Sequence, residues 1–132
     1  MTYNCVIDKV DNWFIASFPD MPNIQTSGET EEEALKMAQE ALDGTLIVCL
    51  EKDFPIPEAK SNEGIEIEVS PKVAFAINLR KVRANQTKKE AAPMLGMTYQ
   101  QYQRLENPYK TNPTLEMMFR LQKTFGCKFL SL

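Results

Sequence analysis

The chain contains no histidine among its 132 residues. That absence removes the Ser-His-Asp and Cys-His arrangements of nucleophilic catalysis, together with the commonest general base near neutral pH. With no imidazole, a conventional zinc site would need cysteines at ligand spacing. Cys5, Cys49 and Cys127 are odd in number and far apart, the pattern of buried thiols rather than of a metal site or disulfide framework. Five glycines are present, none grouped as a phosphate-cradling loop or dinucleotide fingerprint. No apolar run approaches the roughly 20 residues that span a bilayer, and the N-terminus shows no signal-peptide pattern, so a cytoplasmic location with no membrane partner is expected. No cofactor is expected either.

Positive charge is nearly missing from the first half of the chain. Residues 1–69 hold four lysines against fifteen carboxylates, a net of −11, whereas residues 70–132 hold eleven lysines and arginines against three glutamates, a net of +8. Such a split points to two modules, 1–69 and 70–132, the basic one suited to a polyanion and the acidic one to something cationic.

In the acidic half, Thr2–Asp8 and Asn12–Phe18 read as two strands joined by a tight link, and Asn23–Thr26 as a third after a turn at Pro19–Pro22. Thr30 with Glu33 is a capping-box pair opening a helix whose inward face is expected to carry Leu35, Ala38, Leu42, Thr45 or Leu46, and Cys49. Phe54–Pro57 ends it, and Ile65, Ile67 and Val69 alternate with Glu66 and Glu68 as a final half-buried strand. The order is βββαβ, and the chain as a whole reads as α+β. Trp13, in an aromatic-rich strand, is expected mainly in the core. Asp8, Asp11 and Asp20 could be imagined as Mg²⁺ ligands of a nuclease, although Asp11 and Asp20 fall in turns where Asp is favoured for backbone reasons.

This half resembles the N-terminal domain of HicB-type antitoxins, a partial RNase H-like fold, through Trp13-x-x-x-x-Phe18-Pro-Asp-x-Pro22, Thr26-Ser-Gly-Glu-Thr30, Glu-Glu-Ala-Leu35 and Ala38-x-Glu-Ala-Leu42. The resemblance implies a non-enzymatic domain that inhibits a small, basic HicA-type toxin ribonuclease by binding it. Asp8, Asp11, Trp13 and Asp20 are then candidate toxin contacts.

The basic half reads as helices throughout. Val73, Ala76, Ile77 and Arg80, with Leu79 and Val82 alongside, mark the first, which carries Arg80, Lys81 and Arg83 towards its end; Thr87 with Glu90 caps a second that Gly96 terminates; Thr98 with Gln101 caps a third; and Asn112-Pro-Thr-Leu-Glu116 opens a fourth. Two short Thr-capped helices across a Gly turn have helix-turn-helix spacing. Pro93 lies inside the second helix, where it forfeits a hydrogen bond and could kink the turn. On a third helix beginning at Thr98, Tyr102 and Leu105 face inward, while Tyr99, Gln100, Gln103 and Arg104 face out, and amide and guanidinium forks are the groups that read adenine and guanine in a major groove.

The segment from Val73 to Gly126 resembles the lambda-repressor/Cro-like family in Gln86-Thr-Lys-Lys-Glu-Ala-Ala, Leu95-Gly-Met-Thr98, Arg104-Leu-Glu-Asn107 and Asn112-Pro-Thr-Leu-Glu116. That resemblance implies operator DNA as a partner. Tyr99, Gln100 and Arg104 are the leading base contacts, with Thr98 and Gln103 beside them, and Lys88, Lys89, Asn107 and Lys110 are expected at phosphates. One unit reads a half-site, so a homodimer or higher homo-oligomer on a palindrome is expected, with the apolar tail 127–132 either in that interface or folded on its own core. The combined expectation is an antitoxin that autorepresses its operon; the alternative is a helix-turn-helix regulator whose acidic domain senses another ligand.

Overall fold

β1 (Thr2–Val10) and β2 (Trp13–Phe18) form an antiparallel hairpin in register from Val6 opposite Ser17 to Val10 opposite Trp13. Its two-residue link holds Asp11 at φ 55°, a left-handed conformation that Asp accepts more readily than most side chains. β3 (Met21–Gly28) pairs with β2 and begins earlier than expected: the turn is confined to Pro19 and Asp20, and a register shift at Ser17/Phe18 brings Met21 opposite Phe18. The short β4 (Ile65–Glu68) returns along the start of β1, completing the sheet order β3-β2-β1-β4. These elements belong to a computed structural model that describes residues 1–126 and divides after Ser70 into two compact units.

In the first unit, α1 (Glu31–Lys52) covers one face of the sheet. Tyr3, Cys5, Ala16, Phe18, Ile24 and Ile67 are buried on that side, as are Ala34, Ala38, Leu42, Leu46 and Cys49 of the helix. Full burial of Leu42 or Leu46 contributes roughly 1.5–3 kcal/mol each. Ala34, not Leu35, takes the first inward position, because Gly28 brings β3 so close that an added Cβ there would lie 2.6 Å from the Ala34 nitrogen. Gly64, at φ 93°, lies so near β1 that any Cβ would collide with the Cys5 carbonyl.

Polar groups pin the rest of this unit to the sheet and helix. Tyr3 donates its hydroxyl to the Pro57 carbonyl at 2.6 Å, and Asp20 accepts from the backbone N–H groups of Lys60 and Ser61, both at 3.0 Å, anchoring the connection into β4. Burial first, then the neighbouring Cys49 and Asp20, raise the pKa of the Tyr3 phenol. At the end of the unit, Asp43 of α1 accepts the Ser70 N–H at 3.0 Å and the Ser70 hydroxyl, while Gln39 donates to Asp43 at 2.9 Å.

The second unit comprises α2 (Pro71–Arg83), α3 (Lys88–Met94), α4 (Tyr99–Leu105) and α5 (Leu115–Phe125). Leu79, Ala91, Ala92, Leu95, Tyr102, Leu105 and Leu121 form its core, with Phe75, Val82, Met117 and Phe125 packed around them. Thr87, Thr98 and Thr114 cap three successive helices through the N3 backbone N–H. Only Thr98 has a reciprocal box, in which Gln101 returns a 2.9 Å bond to the Thr98 N–H. At Thr87 the Glu90 carboxylate instead meets the cap hydroxyl, and at Thr30 the Glu33 carboxylate passes the cap to accept from the Glu29 N–H at 3.2 Å. Pro93 sits in the last turn of α3; the helix continues to Met94, and the Gly96 N–H then bonds the Pro93 carbonyl at 3.0 Å with Gly96 at φ 67°.

Ala84 ends α2 at φ 52°, a conformation that costs an L-residue roughly 1–2 kcal/mol. Replacing it with glycine relieves that cost against a larger entropy in the unfolded chain, so Ala84→Gly is expected to stabilise this unit by about 1 kcal/mol in chemical denaturation. An unchanged or lowered midpoint would show that Ala84 carries no strain. The expected role of the apolar tail concerns residues 127–132, which lie outside the described residues.

Candidate functional site

α3 and α4 are each seven residues long and meet through Ala91, Leu95, Tyr102 and Leu105. Because Tyr102 and Leu105 are drawn into the core, the helical repeat turns Gln100, Gln103 and Arg104 outward, and all three are exposed. The capping box occupies the Gln101 side chain, leaving Gln100 and Arg104 as the free forks of α4. Tyr99 is half-buried. Gln103 donates to its hydroxyl at 2.9 Å, and the Lys89 ammonium lies 5.6 Å from its ring centre, so α3 and α4 share one braced aromatic on their outer side. Lys88 is half-buried beside Lys89 at the start of α3.

Beyond α4 the chain makes a tight loop. Asn107 accepts the Tyr109 N–H at 3.0 Å through its side chain and the Thr111 N–H at 2.8 Å through its carbonyl. Asn107 thus shapes the loop, and Lys110 is left exposed at its tip. A shallow groove of about 300 Å³ follows, lined by Gln101, Arg104, Leu105, Lys110, Thr111 and Asn112. The Thr111 hydroxyl is buried, borders this groove and has no hydrogen-bond partner in the protein. The two cations Arg104 and Lys110 and the Asn112 amide around one groove suit an anionic oxygen. Thr111 and Asn112 were not legible as site residues in the sequence, since nothing local distinguishes them from ordinary loop polar residues.

A buried ion pair holds this surface in place. Arg83, at the end of α2, donates from Nε and Nη2 to the two carboxylate oxygens of Glu106 at 2.9 and 3.1 Å, and from Nη1 to the Gln86 carbonyl at 2.8 Å. Glu106 is the C-cap of α4, and the pair's side chains are only 12% and 3% exposed. One bidentate contact therefore ties the α2 end, the turn before α3 and the end of α4 together. The buried Tyr102 phenol lies beside it, its pKa pushed upward by burial and then by Glu106.

In the first unit, the acidic candidates do not form one cluster. Asp8 is exposed on β1 and Asp11 occupies the hairpin turn, whereas Asp20 lies beyond the far end of β2, whose six residues span about 20 Å, and is committed to the Lys60 and Ser61 backbone. Among the described residues no three carboxylate or thiol groups converge as metal ligands, so the carboxylates of the nuclease alternative are not brought together. Trp13 departs from its expected core position and is 48% exposed. Along β2, Phe14, Ala16 and Phe18 take the helix-covered side, which turns Trp13 to the opposite face.

Two family models divide the chain. Residues 2–78 match the HicB_like antitoxin of bacterial toxin-antitoxin system, and residues 78–132 match a helix-turn-helix family. Among curated proteins, Antitoxin HicB 2 of Photorhabdus laumondii is 29% identical over 107 residues, covering 80% of this chain and 77% of that protein. An uncharacterised 14.9 kDa protein in the rep-hol intergenic region of Haemophilus phage HP1 is 33% identical over 63 residues, covering 48% and 47%. No helix among the described residues is long and apolar enough to cross a membrane.

Proposed function

Because the chain belongs to the HicB-like antitoxin family and continues into a helix-turn-helix, we propose that it neutralises a HicA-type toxin ribonuclease and represses its own operon by binding operator DNA. The observation that carries this reading is the joining of two opposite fields in one chain, −11 over residues 1–69 and +8 over residues 70–132. The basic unit presents amide and guanidinium forks on one helix. The acidic unit is the electrostatic complement of a protein that grips RNA phosphates.

At the operator, Gln100 and Arg104 read base edges, Tyr99 packs against the groove, and Thr98, Gln103, Lys88, Lys89, Asn107 and Lys110 support contacts to base edges or phosphates. The exposed Asn112 joins Lys110 in receiving a phosphate oxygen. A homodimer places two such helices on a palindrome, and the exposed Leu115 and Phe119, one turn apart on α5, supply apolar surface for the two-fold contact. The protein works by occlusion and needs no cofactor; action on mRNA cleavage and on operator DNA places it in the cytoplasm.

Co-expression with the small basic protein encoded beside it tests the reading. The purified partner should cleave RNA alone and be silent in the complex; cleavage that is unaffected by this chain would refute toxin neutralisation. Association should also slow as added salt shortens the Debye length from about 30 Å to about 8 Å, because steering acts between exposed charges. A salt-independent on-rate would mean that the acidic field plays no part in encounter.

A further inference from the structure

The sheet of the first unit has α1 on one face only. Strand register defines what the other face carries. Val10 stands opposite Trp13, Asp8 opposite Ile15 and Val6 opposite Ser17, and these pairs lie on the side away from the helix. Glu66 and Glu68 extend the same face through their pairing with Asn4 and Thr2. Val10 and Trp13 are 49% and 48% exposed, and directly opposed strand residues have Cβ atoms about 5 Å apart. Val6 and Ile15 continue the apolar strip in half-buried positions. The result is an apolar strip with Trp13 and Val10 at one end and Asp8 one pair along, running toward an acidic end at Glu66 and Glu68 that lies roughly 20–26 Å from Val10 along β1.

The outward side of α1 is a weaker surface. Met37 and Val48 are exposed there, but they lie about 16 Å apart along the helix with exposed Glu40 and Gly44 between them. Tryptophan, moreover, is the side chain most enriched among residues that dominate binding energy.

Charge selects the occupant. Phosphates would meet a repelling carboxylate edge, so nucleic acid does not fit. A second copy placed face to face would bring Asp8, Glu66 and Glu68 of both chains together within a unit already at −11. A protein surface with lysines and arginines around an apolar centre satisfies both the strip and its edge. We propose that the open sheet face, with Trp13, Val10 and Asp8 toward its hairpin end and Glu66 and Glu68 at its other end, docks the cationic RNA-gripping surface of the ribonuclease partner. This rests on the antitoxin reading and locates where inhibition occurs: the partner's phosphate-binding cations are covered by carboxylates on this face.

The test uses the full chain and its purified basic partner in titration calorimetry. Trp13→Ser is expected to weaken binding at least about 30-fold, and Glu66→Lys with Glu68→Lys to slow association, while Met37→Ser with Val48→Ser stays within about threefold of the unmodified chain. All three variants should keep the first unit's thermal transition in far-ultraviolet circular dichroism, which reports that the altered unit is folded. Fluorotryptophan placed at the single tryptophan should show one fluorine resonance that moves on adding partner and not on adding operator DNA. If the unmodified chain binds partner but Trp13→Ser binds within threefold and the fluorine signal stays unmoved, the docking face is overturned and the antitoxin reading stands. If the unmodified chain binds no partner at all, both fall.

Discussion

Replacing Gln100 and Arg104 together with alanine is expected to abolish sequence-specific operator binding while leaving toxin neutralisation intact. Each well-placed bidentate base contact is worth about 1–3 kcal/mol, so losing both should cost roughly 30-fold to more than 10,000-fold in affinity for the operator. Both side chains are exposed, and the capping box that starts α4 uses Thr98 and Gln101, so the substitutions spare the core and the helix cap. Surface changes of this kind usually move stability by no more than about 0.5 kcal/mol. Binding to unrelated DNA should persist, because Lys89 and Lys110 retain the charge that phosphates see. Fluorescence anisotropy with operator and scrambled duplexes measures the difference directly. A folded double variant that still prefers its operator would remove α4 from the role of reading helix. By contrast, Lys110→Ala should weaken both duplexes alike and lower the salt slope by about one.

Glu106→Ala should strongly destabilise the second unit. It leaves the Arg83 guanidinium, 12% exposed, without the carboxylate that takes two of its hydrogen bonds, and breaking a buried pair in this way costs about 3–5 kcal/mol. For a unit of about 60 residues, each 1 kcal/mol moves the melting temperature by roughly 4–8 °C, enough to unfold a marginal unit at physiological temperature. Operator binding would fail with it, because Glu106 ends α4 and Arg83 holds the Gln86 carbonyl before α3. The first unit should melt as before. Trp13, the single tryptophan, reports that unit alone, while far-ultraviolet circular dichroism follows the loss of helix. Arg83→Met combined with Glu106→Leu removes both charges at once and should cost less than Glu106→Ala. A Glu106→Ala protein melting within about 1 kcal/mol of the unmodified chain would show that the pair contributes little.

The features legible in the sequence were those with a local physical cause. Thr98 followed by Gln101 is a cap that needs no distant residue, and it forms as read. The change in charge near residue 70 is compositional. Tyr102 and Leu105, read as the inward side of their helix, join the core as expected, where they meet Ala91 and Leu95. The βββαβ order of the acidic half, written in β-branched runs and proline breaks, also appears, with β3 longer than read because the bulge at Ser17/Phe18 tightens the turn.

Tertiary structure decided what local pattern leaves open. Trp13-Phe-Ile-Ala-Ser-Phe18 is apolar on both parities, so alternation alone could not say whether Trp13 or Phe14 faces the core; α1 settles it by covering only the Phe14 side. Asp20 reads as a free turn carboxylate until the connection into β4 folds back and offers it two N–H groups. Arg83 and Glu106 look like two surface charges in polar segments until helix packing buries them against each other. By itself, then, the sequence determined elements, caps, charge division and the outward residues of α4, because each depends on neighbours within a few positions. Which sheet face stays open, which acid is occupied and which ion pair is buried depend on residues distant along the chain, and only the folded structure brings them together.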